Sequence, residues 1–123
     1  SDPAAGLELS PYLSESEFQQ AKLMADMSGF YAAFGLGFRE GQRPDALPVA
    51  LEFVSHLLLK EANALAKGMS EARAVTRKAR KDFVKIFLIP ALAAFSDRLG
   101  ASLSADFFTA AAEYCKTEAG AIA

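Results

Sequence analysis

The stretch richest in chemistry is GQRPDALPVALEF, residues 41 to 53, which places Arg43, Pro44 and Asp45 ahead of an apolar stripe carrying Glu52. Asp45 reads as a helix N-cap. Its carboxylate suits the free N–H groups of a first turn and the positive end of the helix dipole. His56, the only histidine, falls one turn after Glu52 and one turn before Lys60. Such a Glu–His–Lys row reads as a solvated stripe before it reads as a proton relay. The single cysteine, Cys115, has no partner for an internal disulfide and no neighbouring histidine for a metal site. There is no phosphate-cradling glycine loop, no paired metal-ligating histidines, no Cys-His couple and no nucleophile elbow. The expectation is a protein that is not an enzyme, with no catalytic residue, no metal and no cofactor.

Charge is the next constraint. The formal net charge of −2 excludes a strongly basic nucleic-acid protein, but residues 1 to 61 hold nine acids against four bases, and residues 62 to 123 six acids against nine bases. Arg73, Arg77, Lys78, Arg80, Lys81 and Lys85 fall on one helix. They read as the wet side of an amphipathic helix, with binding of phosphate or an acidic partner as the alternative. Apolar residues make up 52% of the chain, yet no run approaches the roughly 18 to 20 residues a membrane span needs, and no signal segment opens it. A cytoplasmic location is expected.

These residues need elements to hold them, and the pattern is helical throughout. Residues 1 to 13, with two prolines, read as an irregular arm or linker ordered by packing Leu7, Leu9, Tyr12 or Leu13 on a neighbour, and residues 14 to 123 as the helical domain. Ser14 and Glu17 form a capping box for a helix reaching about Leu36. Its large face is Leu23, Met24, Met27, Phe30, Tyr31 and Phe34; its small face, Ala21, Ala25, Ser28, Gly29, Ala32 and Ala33, invites a second neighbour, so the helix is expected in the middle of the bundle. A second helix over about 46 to 67 ends at Gly68 and offers Leu47, Leu51, Val54, Leu58, Ala62 and Leu65 as its core stripe, with Glu61 inside it. A third, after Ser70, presents Ala72, Val75, Ala79, Phe83, Ile86 and Phe87 until Pro90 kinks or breaks it. A short helix to Gly100 and a last one from Ser104 to about Glu118, with Phe107, Phe108, Ala111, Tyr114 and Cys115 as its apolar side, complete an all-α antiparallel bundle of four to five helices.

Three stretches, KLMADMSGFYAAFGL, RPDALPVALEFVSHLL and DFVKIFLIPALAAFSDRL, resemble the TorD/NarJ-like redox-enzyme maturation chaperones, most closely the branch serving type II DMSO-reductase-family molybdoenzymes. Phe30, Tyr31, Ala33, Phe34, Gly35, Leu36, Arg43, Pro44, Asp45, Leu51, Glu52 and Phe53 match the first two motifs of that branch. Phe83, Leu88, Pro90, Leu92, Phe95 and Leu99 match the third. Ala46, Phe87 and Ala91 stand where the branch has His, His and Trp. The resemblance runs from about residue 18 and implies a further N-terminal helical half that is not in this chain.

What the resemblance implies is a cytoplasmic chaperone that binds the N-terminal or twin-arginine signal segment of a molybdoenzyme catalytic subunit, assists cofactor insertion and delays export. A receptor for paired arginines and an apolar stretch wants an apolar groove with carboxylates at its rim. Glu40, Asp45 and Glu52 are the candidate carboxylates; Tyr31, Phe34, Leu51 and Phe53 are the candidate lining; Arg43, Pro44 and His56 belong to the same helix start and face. The alternative is an oligomeric helical scaffold that has lost client binding. Uncovered apolar surface would in either case favour self-association.

Overall fold

The computed structural model describes residues 7–37, 41–102 and 112–113. They form five α-helices and one π-helical turn, with no strand: α1 Ser10–Leu13, α2 Glu17–Ala33, α3 Leu47–Ala66, α4 Ser70–Phe83, the π turn Val84–Leu88 and α5 Ile89–Ser102. The expected last helix and Glu40 lie outside the described residues, apart from Ala112 and Glu113, which are helical.

The helix stops follow from glycine. Both α2 and α3 close with a residue of positive φ, Gly35 at 74° and Gly68 at 69°, a conformation that costs other L residues energy. At each end two orphan carbonyls find donors: Gly35 and Leu36 N–H donate to Ala32 and Tyr31, and Gly68 and Met69 N–H donate to Leu65 and Ala64. The start of α2 is not the expected capping box. Ser16, not Ser14, is the N-cap, its Oγ accepting from Gln19 N–H at 3.4 Å, while Ser14 Oγ accepts from Ser16 N–H at 3.2 Å. Two serines in tandem offer two caps, and the later one leaves the first free to hold the approach.

An aromatic cluster forms the core. Phe83 lies 4.8 Å from Phe53, 5.2 Å from Phe87 and 5.5 Å from Phe30, centroid to centroid, and Tyr31 is 4.8 Å from Phe53. Most of these pairs meet edge to face, the favoured arrangement of ring quadrupoles. The cluster ties α2, α3, α4 and the π turn together, with Leu9, Met27, Ala50, Leu57, Leu88 and Ala91 buried around it.

Three expected faces are corrected here. On α3 the buried stripe is Ala50, Phe53, Leu57 and Ala64, whereas Leu51, Leu58 and Leu65 are exposed. The helix is apolar over so much of its circumference that Phe53, the largest ring, decides which side turns inward. On α4 and the π turn, Thr76, Phe83, Phe87 and Leu88 are buried while Val75 and Ile86 are exposed. The small face of α2 stays exposed at Ala21, Ala25, Gly29, Ala32 and Ala33, so among the described residues α2 packs on one side only and is not the central helix. Pro90 does not break the chain's helical course either. The preceding turn widens to π geometry, with Ile89 N–H donating to Val84 O, and this loosened register accommodates the proline.

Within the stretch expected as an irregular arm, the described residues 7 to 13 take regular structure. Leu7 to Leu9 lie antiparallel to Asp45–Leu47 through a Glu8–Ala46 bridge: Leu9 N–H donates to Asp45 O at 2.8 Å and Leu47 N–H to Leu7 O at 3.0 Å. One helical turn, α1, follows and is held by α5. The Arg98 guanidinium stacks 4.5 Å from the Tyr12 ring and donates to Pro11 O, and Phe95 meets Tyr12 edge-on at 5.5 Å.

Candidate functional site

The helix start at Arg43–Asp45 is built inward. Asp45 does not cap α3: Ala46 holds the N-cap position with no side-chain cap, and Pro48 occupies the first turn, where a missing N–H costs nothing. The Asp45 carboxylate is fully buried. Its Oδ2 accepts from Ser10 N–H at 3.1 Å, Ser10 Oγ at 2.5 Å and Arg43 Nη2 at 3.0 Å, and its Oδ1 accepts from Arg43 Nε at 2.9 Å. Burial alone would raise its pKa, but the bonds from Arg43 and Ser10, helped by the arginine's charge, outweigh that and hold the carboxyl below its ordinary range. Arg43 is raised in turn, first by its bond to Asp45. The cluster clasps the N-terminal residues onto the start of α3, across 35 positions of sequence.

Beside this clasp, Tyr31 is buried and donates its hydroxyl to the Pro44 carbonyl at 2.7 Å. Burial first, and the Asp45 charge second, push its phenol above the ordinary range. Tyr31 and Pro44 thus fix the distance between α2 and the start of α3.

On the outer side of the same helix start is a cleft of about 230 Å³, lined by Tyr31, Leu36, Gly37, Gln42, Val49, Glu52, Phe53 and His56. The end of α2 supplies one wall. Val49, Glu52, Phe53 and His56, spaced three, four and seven residues from Val49, supply the other from one side of α3. Glu52 is exposed at this cleft and Phe53 is buried at its floor. His56 Nε2 is buried and meets no hydrogen-bond partner. A buried polar nitrogen without a protein partner is costly.

The structure therefore brings four of the candidate residues, Tyr31, Glu52, Phe53 and His56, to one cleft. It puts Asp45 and Arg43 in the neighbouring clasp, with Pro44 between the two. Phe34 packs 5.9 Å from Phe53 with Lys60 Nζ 5.5 Å from its ring, and Leu51 is exposed on another side of α3. Leu36, Gly37, Gln42 and Val49 also line the cleft and were not among the candidate site residues, although Leu36 belongs to the first motif and Val49 shares the spacing of Glu52, Phe53 and His56. Ala46, Phe87 and Ala91 do not line the cleft; Phe87 and Ala91 are buried in the core. Among the described residues no group of three or more His, Cys, Asp or Glu is placed to hold a metal ion, and no helix is long and apolar enough to cross a membrane.

The described residues, with an inward ion-pair clasp and a side-chain-sized cleft at one helix start, define the class as an all-α helical bundle. The family model of the nitrate reductase delta subunit matches residues 1–99, and the chain belongs to that family. Its members are redox-enzyme maturation chaperones that act on molybdoenzyme subunits. No curated protein and no solved structure matches the chain.

Proposed function

We propose that this chain is a non-enzymatic, cytoplasmic chaperone, nearest to the branch serving type II DMSO-reductase-family molybdoenzymes. It binds the N-terminal twin-arginine segment of the catalytic subunit and keeps that subunit from export until its cofactor is in place. The observation that carries the reading is the cleft itself: an apolar floor, an unpartnered His56 Nε2 and an exposed Glu52 carboxylate, in a family that matures redox enzymes.

A volume of about 230 Å³ suits one large side chain. Arginine fits its chemistry best. The aliphatic stem lies against Val49 and Phe53, and the guanidinium donates to Glu52 in charge-assisted bonds. With its proton on Nδ1, His56 offers Nε2 as an acceptor for a further guanidinium N–H. Asp45 has no part in this contact, because its oxygens are already taken by Ser10 and Arg43.

Isothermal titration of a twin-arginine leader peptide, beside the same peptide with paired lysines, tests the proposal. The arginine peptide should bind the more tightly, since lysine cannot reproduce the planar fork. Absence of binding by both peptides would remove the client-segment reading.

A further inference from the structure

Helix α3 is apolar over more of its circumference than the other described residues cover. Leu51, Leu58 and Leu65 are 49%, 49% and 59% exposed, and Leu59 is 71% exposed. The first three repeat every seven residues and so form a single stripe about 21 Å long. Helical geometry sets Ser55, Ala62 and Ala66, all small, beside it. No charge interrupts this arc.

The two borders of the stripe differ. On one side is Glu61, three residues after Leu58 and four before Leu65. Arg80 grips its carboxylate from α4 with both Nε and Nη2, the second bond being 3.0 Å. Arg77 and Arg73 lie close enough to add to the field on Glu61, and both are exposed. An arginine row on α4 therefore runs along one edge of the leucine stripe. The other border carries Glu52 and Asn63.

This pattern selects among occupants. A second copy laid on α3 by a two-fold axis supplies no free acid to Arg73 and Arg77: the antiparallel arrangement puts both α4 helices on the same side, and the parallel one sets these arginines against the Asn63 border, with Glu52 near the other end of α3. A bilayer of anionic lipid would meet Glu52 as well as the arginines. Leucines at heptad spacing present a ridge that matches the grooves of a helix. We propose that the α3–α4 face docks an amphipathic helix of a partner protein, its apolar residues on Leu51, Leu58 and Leu65 and its acidic flank on Arg73 and Arg77. The inference does not rest on the cleft, which uses a neighbouring side of α3 and shares with this face only the border residue Glu52.

The test uses a labelled peptide of about three heptads with leucine at the core positions and glutamate on the flanks. A version with lysine flanks, phosphatidylglycerol vesicles and sedimentation of the protein alone accompany it. The glutamate peptide should bind about tenfold or more tightly than the lysine peptide. The Leu58→Ser, Leu65→Ser double variant should lose about tenfold or more of that binding, and Arg73→Glu with Arg77→Glu should invert the preference. All these side chains are exposed, and circular dichroism confirms that each variant is folded. Equal binding of both peptides, binding indifferent to the leucine variants, capture by vesicles in place of the peptide, or self-association abolished by the leucine variants would each overturn the proposal.

Discussion

Replacing Asp45 by Asn preserves size and removes one charge, and it should be costly. Oδ2 receives three donors, Ser10 N–H, Ser10 Oγ and Arg43 Nη2, and Oδ1 receives Arg43 Nε. Whichever way the new amide turns, its NH2 faces a donor. The variant forfeits charge-assisted bonds, each worth roughly 1.5 to 3 kcal/mol. Stranding the partner of a fully buried pair costs about 3 to 5 kcal/mol, but the Arg43 side chain is 46% exposed and regains water, which lowers the figure. The net expectation is a loss of about 2 to 3 kcal/mol at neutral pH. A helix cap would behave differently, because Asn caps about as well as Asp. Urea unfolding followed by circular dichroism supplies the measurement, with Ser10→Ala and the double variant completing a cycle. The singles should be non-additive by about 1 kcal/mol, since Ser10 and Asp45 share one set of bonds. Stability of Asp45→Asn within about 0.5 kcal/mol of wild type, or strict additivity with Ser10→Ala, would refute the clasp.

Three further outcomes follow from the same structure. Asp45 and Glu61 both have folded pKa values below the ordinary carboxylate range, so their contribution is present above the unfolded pKa of about 4 and is lost as pH falls through the folded values; acid unfolding of Asp45→Asn with Glu61→Gln should be less steep below about pH 4 than that of wild type. Phe83→Ala removes the ring that touches Phe30, Tyr31, Phe53 and Phe87 and should cost about 3 to 5 kcal/mol by chemical denaturation. Gly68→Ala meets no atom within 4 Å of the added Cβ, so its cost is conformational alone, about 1 to 2 kcal/mol, read as a lowered Tm.

The helices were legible in the sequence because their punctuation is local. Gly68 and the period of α2 need no knowledge of the rest of the chain. The face of α3 was not legible: Leu51, Leu58 and Leu65 make as good a stripe as Ala50, Phe53, Leu57 and Ala64, and only packing against Phe83 chooses between them. The widened turn before Pro90 and the bare small face of α2 likewise depend on neighbours. Asp45 shows the same limit at the candidate site. An aspartate before a helix looks identical as a cap or as half of a buried ion pair, and what separates the two is Ser10, 35 residues earlier. Glu52 and Phe53 stood out through the family motif, and His56 through its place one turn after Glu52. Leu36, Gly37 and Gln42 come from the chain between the helices, where no periodicity links them to α3.

The division between an inward clasp and an outward cleft is the centre of this account, and one calorimetric comparison tests it. A twin-arginine leader peptide is titrated into wild type, Glu52→Gln and Asp45→Asn, each at a temperature where circular dichroism shows it folded. Glu52→Gln should weaken binding by roughly 1.5 to 3 kcal/mol, about ten- to a hundredfold, while Asp45→Asn leaves affinity close to wild type. The reverse order, with Asp45→Asn losing affinity and Glu52→Gln keeping it, would contradict the account.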